Sequence, residues 1–83
     1  MIRPADSMET NAAWADAVAR RDAPTLIVVS RQKTTEIPRP AVFDAGDLLR
    51  GGYVAAEASR APDVLMIATG SEVGPALEAR KLL

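Results

Sequence analysis

Three places in the sequence hold residue types that do chemistry. The first is Arg31, which directly follows the apolar run TLIVVS at residues 25–30. A planar guanidinium grips a phosphate through two parallel hydrogen bonds, a geometry that an ammonium group does not reproduce. In open α/β sheets, ligands collect outside the carboxyl ends of the strands, and Arg31 stands one residue past such an end. The plainer alternative is a surface arginine that caps a strand or pairs with a nearby acid, and position alone favours it. The second place is Thr69-Gly70-Ser71-Glu72, where a glycine turn ahead of a helix presents backbone N–H groups to an anion. Neither GxGxxG nor GxxxxGK[ST] is present, so Gly70 reads as strand-to-helix packing and Ser71 as a cap. The third is the pair Asp6 and Glu9. Two carboxylates suit acid–base work, but a capping box accounts for both, and the sequence places no other ionisable group to tune either pKa.

The elements that must position these residues follow from local pattern. Pro4 pushes Arg3 out of the helical region. Asp6-Ser7-Met8-Glu9 then opens a helix, the Asp6 carboxylate accepting from the Glu9 N–H while the Glu9 side chain reaches back. Met8, Ala12, Ala15 and Ala19 share one face, flanked by Trp14 and Val18, which read as core or interface. Asp16 and Arg20 stand at ion-pair spacing, and the helix is expected to end near Arg21-Asp22, before Pro24. Thr25 to Ser30 is apolar without alternation, as in a strand covered on both faces. A polar, proline-bearing stretch follows, too long for an ordinary turn. Gly51-Gly52 reads as a flexible entry to a strand over Gly52 to Ala56, with Tyr53 packing behind it. Asp63 to Thr69 is a second fully apolar strand. It leads into a helix capped at Ser71 or, if Pro75 is its first residue, at Gly74. Arg80 lies within the apolar stripe of that helix and has to snorkel.

Bulk composition narrows the function classes. At 83 residues the chain makes at most one small domain, and chains near this size bury only about 60% of their unfolded surface. Its hydrophobic content of 48% argues against disorder, but much of this is alanine and only 4% is aromatic, so the core is thin. The net charge is −1, with 10 basic and 11 acidic residues spread along the chain, which argues against a nucleic-acid partner. There are no cysteines and no histidines, which excludes disulfides, thiolate metal sites and imidazole catalysis. The longest apolar runs are strand-length, with no membrane span or signal peptide, so a cytoplasmic location is expected.

Four segments in order carry a family likeness: RPAD..E (Arg3 to Glu9), PTLIVVSRQ (Pro24 to Gln32), RGGYV (Arg50 to Val54) and PDVLMIATGSEV...ALEA (Pro62 to Ala79). Each is unspecific alone; together, at this spacing, they resemble transketolase over nearly the whole chain apart from the linker. Related thiamine enzymes such as deoxyxylulose-phosphate synthase share the architecture, but RPAD..E with SRQ looks more like transketolase or its dihydroxyacetone synthase relative. The resemblance implies an α/β fold class: partial parallel-sheet units from two adjacent domains of a thiamine-diphosphate enzyme. Residues 1–33 would end the pyrimidine-binding domain, 34–50 would be an interdomain linker, and 51–83 would begin the C-terminal domain.

The same resemblance implies transfer of a glycolaldehyde unit from a ketose phosphate to an aldose phosphate. It implies thiamine diphosphate and a divalent metal, Mg or Ca, in the parent enzyme. The partners it implies are the remainder of the enzyme and a second subunit of a homodimer, with the sugar phosphate contacted by Arg31. The sequence departs from the family pattern at Lys33, where asparagine is common, and at Gly74-Pro75, where helix formers are usual. The GDG...N motif, the cofactor-activating glutamate and the substrate-channel histidines are absent, so no catalytic, cofactor or metal residue is assigned. The chain alone is expected to be inert. The alternative is a free-standing small α/β binding or interaction module without catalysis.

Overall fold

Asp6 starts the first helix. Its backbone is extended (φ −149°, ψ −172°) and its carboxylate accepts from the Glu9 N–H at 3.0 Å, the geometry of an N-cap. The computed structural model describes residues 1–39 and 43–83; the part of the expected linker at 40–42 lies outside the described residues. Helix α1 spans Ser7–Ala19, and Arg20 turns extended, slightly before the expected stop at Arg21-Asp22. The Glu9 side chain does reach back, but to the Ala5 N–H at 2.8 Å, one residue beyond the cap itself. Asp16 and Arg20 pair at 3.3 Å as their spacing predicts.

The buried face of α1 is not the one the apolar pattern predicts. Glu9 and Ala13 are buried, whereas Met8, Ala15, Val18 and Ala19 are exposed and Trp14 is 59% exposed. The helix has turned its acidic first-turn residue inward because a cation and a phenol wait there, as described below.

Helix α2, Ala45–Leu49, lies within the expected linker and packs against α1. Asp44 caps it, accepting from the Gly46 N–H at 2.8 Å. A 3-10 turn at Gly70–Glu72 runs directly into α3, Val73–Leu82. Neither expected start, at Ser71 or at Gly74, is used. Thr69 precedes the turn without a side-chain cap, and Pro75 falls in the first turn of α3, where helical N–H groups are least needed. Arg80 leaves the apolar stripe for solvent and donates to the Glu57 carbonyl at 2.5 Å.

The α/β expectation is overturned. Among the described residues there is no β-strand, and the parallel pairing is reduced to one isolated bridge between Ile2 and Ile27. The Ile2 N–H donates to Leu26 O and the Val28 N–H to Ile2 O, both at 2.8 Å. The partial parallel-sheet units are therefore absent, and the regular structure is helical. A strand exists only through hydrogen bonds to a neighbour, and an apolar composition signals a wish for burial without supplying that neighbour. Residues 52–56 and 63–69 form no ladder, and Leu65 and Ile67 are 81% and 88% exposed. The buried apolar residues described are Ala5, Ala13 and Ile37, so the thin core is as expected. No helix among the described residues is long and apolar enough to cross a membrane.

Gly70 shows why a glycine stands at the 3-10 turn. Its φ is +56°, and an added Cβ would lie 3.3 Å from the Arg3 guanidinium packed over it. Gly70→Ala is expected to destabilise the chain by roughly 1–2 kcal/mol, the left-handed cost of a side chain. Urea denaturation followed by far-UV circular dichroism reads this; an unchanged midpoint would contradict the turn geometry.

Candidate functional site

The first turn of α1 presents two carboxylates to the interior, and Arg39 meets both. The Arg39 guanidinium donates to Asp6 Oδ2 through Nη1, to Asp6 Oδ1 through Nη2 at 3.2 Å, and to Glu9 Oε1 at 2.9 Å. Tyr53 closes the cluster: its hydroxyl accepts from Arg39 Nη2 at 2.8 Å and donates to Glu9 Oε1 at 2.6 Å. The Ile37 N–H adds a bond to Asp6 Oδ2 at 3.0 Å. The Phe43 ring lies 5.0 Å from the guanidinium carbon, within cation–π range. The side chains of Asp6, Glu9 and Arg39 are no more than 7% exposed. A buried charge survives only when paired and hydrogen-bonded, and each charge here is paired, with Arg39 Nε the one guanidinium nitrogen left without a partner among the described residues.

Each group's ionisation follows from the packing. Burial pushes the Asp6 carboxyl up, but the Arg39 hydrogen bonds, the N–H groups of Glu9 and Ile37 and the Arg39 charge together hold it below its ordinary value. Burial works against the Arg39 charge, yet Asp6 and Tyr53 raise its pKa still further, so it stays a cation. Burial and donation to Glu9 push the Tyr53 phenol up to about 12, against the pull of Arg39.

Arg31 sits elsewhere. It is exposed on the loop that follows residues 25–30 and forms no ion pair among the described residues. Its neighbours Ser30, Gln32 and Lys33 line a cleft of about 310 Å³ whose opposite wall carries Asp6, Ser7 and Thr10. The Gly70 turn is not brought to this loop. It meets Arg3, which pairs with Glu72 at 3.2 Å.

The cleft thus sets the RPAD..E segment beside the loop that carries Arg31, while Arg31 itself does not line it. Transketolase of Aquifex aeolicus is 42% identical over all 83 residues, which is 100% of this chain and 12% of the relative. Transketolase of Dictyostelium discoideum is 45% identical over 83 residues, 13% of its length. Transketolase 2 of Vibrio parahaemolyticus is 41% identical over 81 residues, 98% of this chain and 12% of the relative. The chain is homologous to transketolase over its whole length. It spans about 12% of the length of the curated relatives it matches. No family model matches it, and no solved structure matches it.

The homology bears out the family read from RPAD..E, SRQ, RGGYV and ATGSEV. Within this transketolase homologue the structure corrects one reading of the residues: an ionisable group does face Asp6 and Glu9, and it is Arg39. Nothing in the helical or strand periodicities points to Arg39. The available signal was IPRP at residues 37–40, a charge held between two prolines that stiffen the chain locally. Tyr53, read as packing behind Gly51-Gly52, is instead a hydrogen-bonding member of the cluster. Among the described residues no group of three His, Cys, Asp or Glu side chains gathers to hold a metal ion. The described residues therefore do not by themselves supply a metal site.

The raised Tyr53 pKa fixes a pH window. Between pH 10 and about 12 the unfolded chain releases the phenolic proton before the folded chain does, so the Tyr53 contribution to stability is present below pH 10 and lost as pH rises through this window. Tyr53→Phe is expected to cost about 1 kcal/mol at neutral pH. Its deficit against the native chain should shrink across the window. Urea denaturation at several pH values checks this, and a constant deficit would contradict it.

Proposed function

We propose that the chain serves as one segment of a thiamine-diphosphate-dependent transketolase, which transfers a glycolaldehyde unit from a ketose phosphate to an aldose phosphate. In this reading Arg31 grips the sugar phosphate. The grip lies far from the reacting carbon and contributes binding energy that positions the substrate. Thiamine diphosphate and its divalent metal, Mg or Ca, are held by the rest of the enzyme and a second subunit of a cytoplasmic homodimer, and the chain alone is inactive. Residues 1–33 close the pyrimidine-binding domain, 34–50 connect, and 51–83 open the C-terminal domain.

The observation that carries this reading is homology to transketolases along all 83 residues, with the SRQ segment inside the match. Arg31 is exposed and forms no ion pair among the described residues, and its neighbours Ser30, Gln32 and Lys33 line a cleft, which supports the assigned contact. A non-catalytic binding module is less well supported, because a core of Ala5, Ala13 and Ile37 leaves most of the apolar side chains uncovered.

The test uses transketolase of Aquifex aeolicus carrying residues 1–83 in place of its matching segment. Arg31→Ala is expected to raise KM for phosphorylated acceptors roughly 10- to 100-fold, the range for a lost hydrogen bond to a charged group. KM for non-phosphorylated acceptors should hardly change. An inactive chimera, or equal losses on both acceptor types, would contradict the reading.

A further inference from the structure

The loop that carries Arg31 is tied at both ends to one short N-terminal segment. Ahead of the loop, Ile2 is bracketed by Leu26 and Val28 through two backbone hydrogen bonds of 2.8 Å. Behind it, the Ile37 N–H donates to Asp6 at 3.0 Å and the Arg39 guanidinium spans Asp6 and Glu9. Ile2 and Asp6 are four residues apart, so the two posts stand at most about 14 Å from one another. The chain from Val28 to Ile37 could stretch more than twice as far, and the posts force it into a bulge. Local bonds shape that bulge: Gln32 N–H donates to Ser30 Oγ at 3.0 Å, and Ser7 N–H to Glu36 Oε1 at 3.4 Å.

The two posts differ in kind. The first is made of backbone and depends on no side chain. The second depends on the Asp6 carboxylate and on Arg39, both buried. Among the described residues, the next regular element after Arg39 is α2, beginning at Ala45. Without the second post the loop is fixed at one end only, and its freedom grows accordingly.

We propose that Arg39, acting through Asp6, is a positioning residue that holds the 29–36 loop so that Arg31 is presented to the phosphate of a phosphorylated sugar. This rests on the Arg31 reading above. Arg39 touches no substrate. It sets where the loop bulges, and a displaced guanidinium loses its in-plane, two-bond grip long before it loses its charge.

In the same chimera, Arg39→Lys keeps the cation and removes the fork that spans two carboxylates. Asp6→Asn keeps a good helix cap and removes the charge, and it serves where Arg39→Lys folds poorly. Either variant is expected to raise KM for a phosphorylated acceptor roughly tenfold, with kcat and the non-phosphorylated acceptor little changed. In an Arg31→Ala background neither should raise it further. Amide exchange across residues 30–36 should quicken in both. Equal losses on both acceptors, effects that add to that of Arg31→Ala, or unchanged exchange would overturn the proposal. If exchange quickens but Arg31→Ala itself leaves KM unchanged, the Arg31 reading fails and the proposed role of Arg39 in substrate positioning fails with it, while its hold on the loop stands.

Discussion

Arg39 lies between two buried carboxylates, and the arrangement of the rest of the described chain depends on that contact. Removing one partner of a buried ion pair costs roughly 3–5 kcal/mol, because the other charge is stranded away from water. A small domain has only about 5–15 kcal/mol in total, and a chain this short sits low in that range. The apolar side cannot take over the task, since the buried apolar residues among those described are two alanines and one isoleucine. The cluster need not make the chain more stable than an apolar core would. What it does is specify one arrangement, since Asp6, Glu9, Arg39 and Tyr53 meet only when α1, residues 37–39 and the approach to residue 54 are all in place.

The cluster joins segments that lie far apart in the sequence. Asp6 and Glu9 belong to the RPAD..E stretch, Arg39 to the linker, and Tyr53 to RGGYV. A second contact, from Arg3 to Glu72 beside the Gly70 turn, ties the same N-terminal segment to the start of α3. It is partly exposed and contributes little energy, so it guides rather than holds. The N-terminal nine residues thus touch every later segment that carries a family motif.

The legible and illegible parts of the structure divide along physical lines. Helix starts are local events, and the Asp6 cap, the returning Glu9 and the Asp16–Arg20 pair were all readable from spacing. Strands are not local. TLIVVS and DVLMIAT carry the composition of buried strands, but composition does not name a pairing partner, and only Ile27 makes a bridge. The buried face of α1 was misread for a related reason. Apolar spacing selected Met8, Ala15 and Ala19, whereas the helix is oriented by Glu9, whose partners lie 30 and 44 residues away. The family was legible because four short motifs kept their order, which no single residue reveals. The contacts that tie down the loop of Arg31 were not readable, because they run through Asp6 and Arg39, far apart in the sequence.

The account is tested most directly by a double-mutant cycle between Asp6 and Arg39. Asp6→Asn, Arg39→Gln and the double variant would be compared with the native chain by urea denaturation, followed by circular dichroism because Trp14 is too exposed to report on packing. If the cluster organises the chain, the two losses are strongly non-additive, with a coupling of roughly 2–3 kcal/mol. If they add to within about 0.5 kcal/mol, Asp6 and Arg39 act independently and the cluster does not hold the structure together.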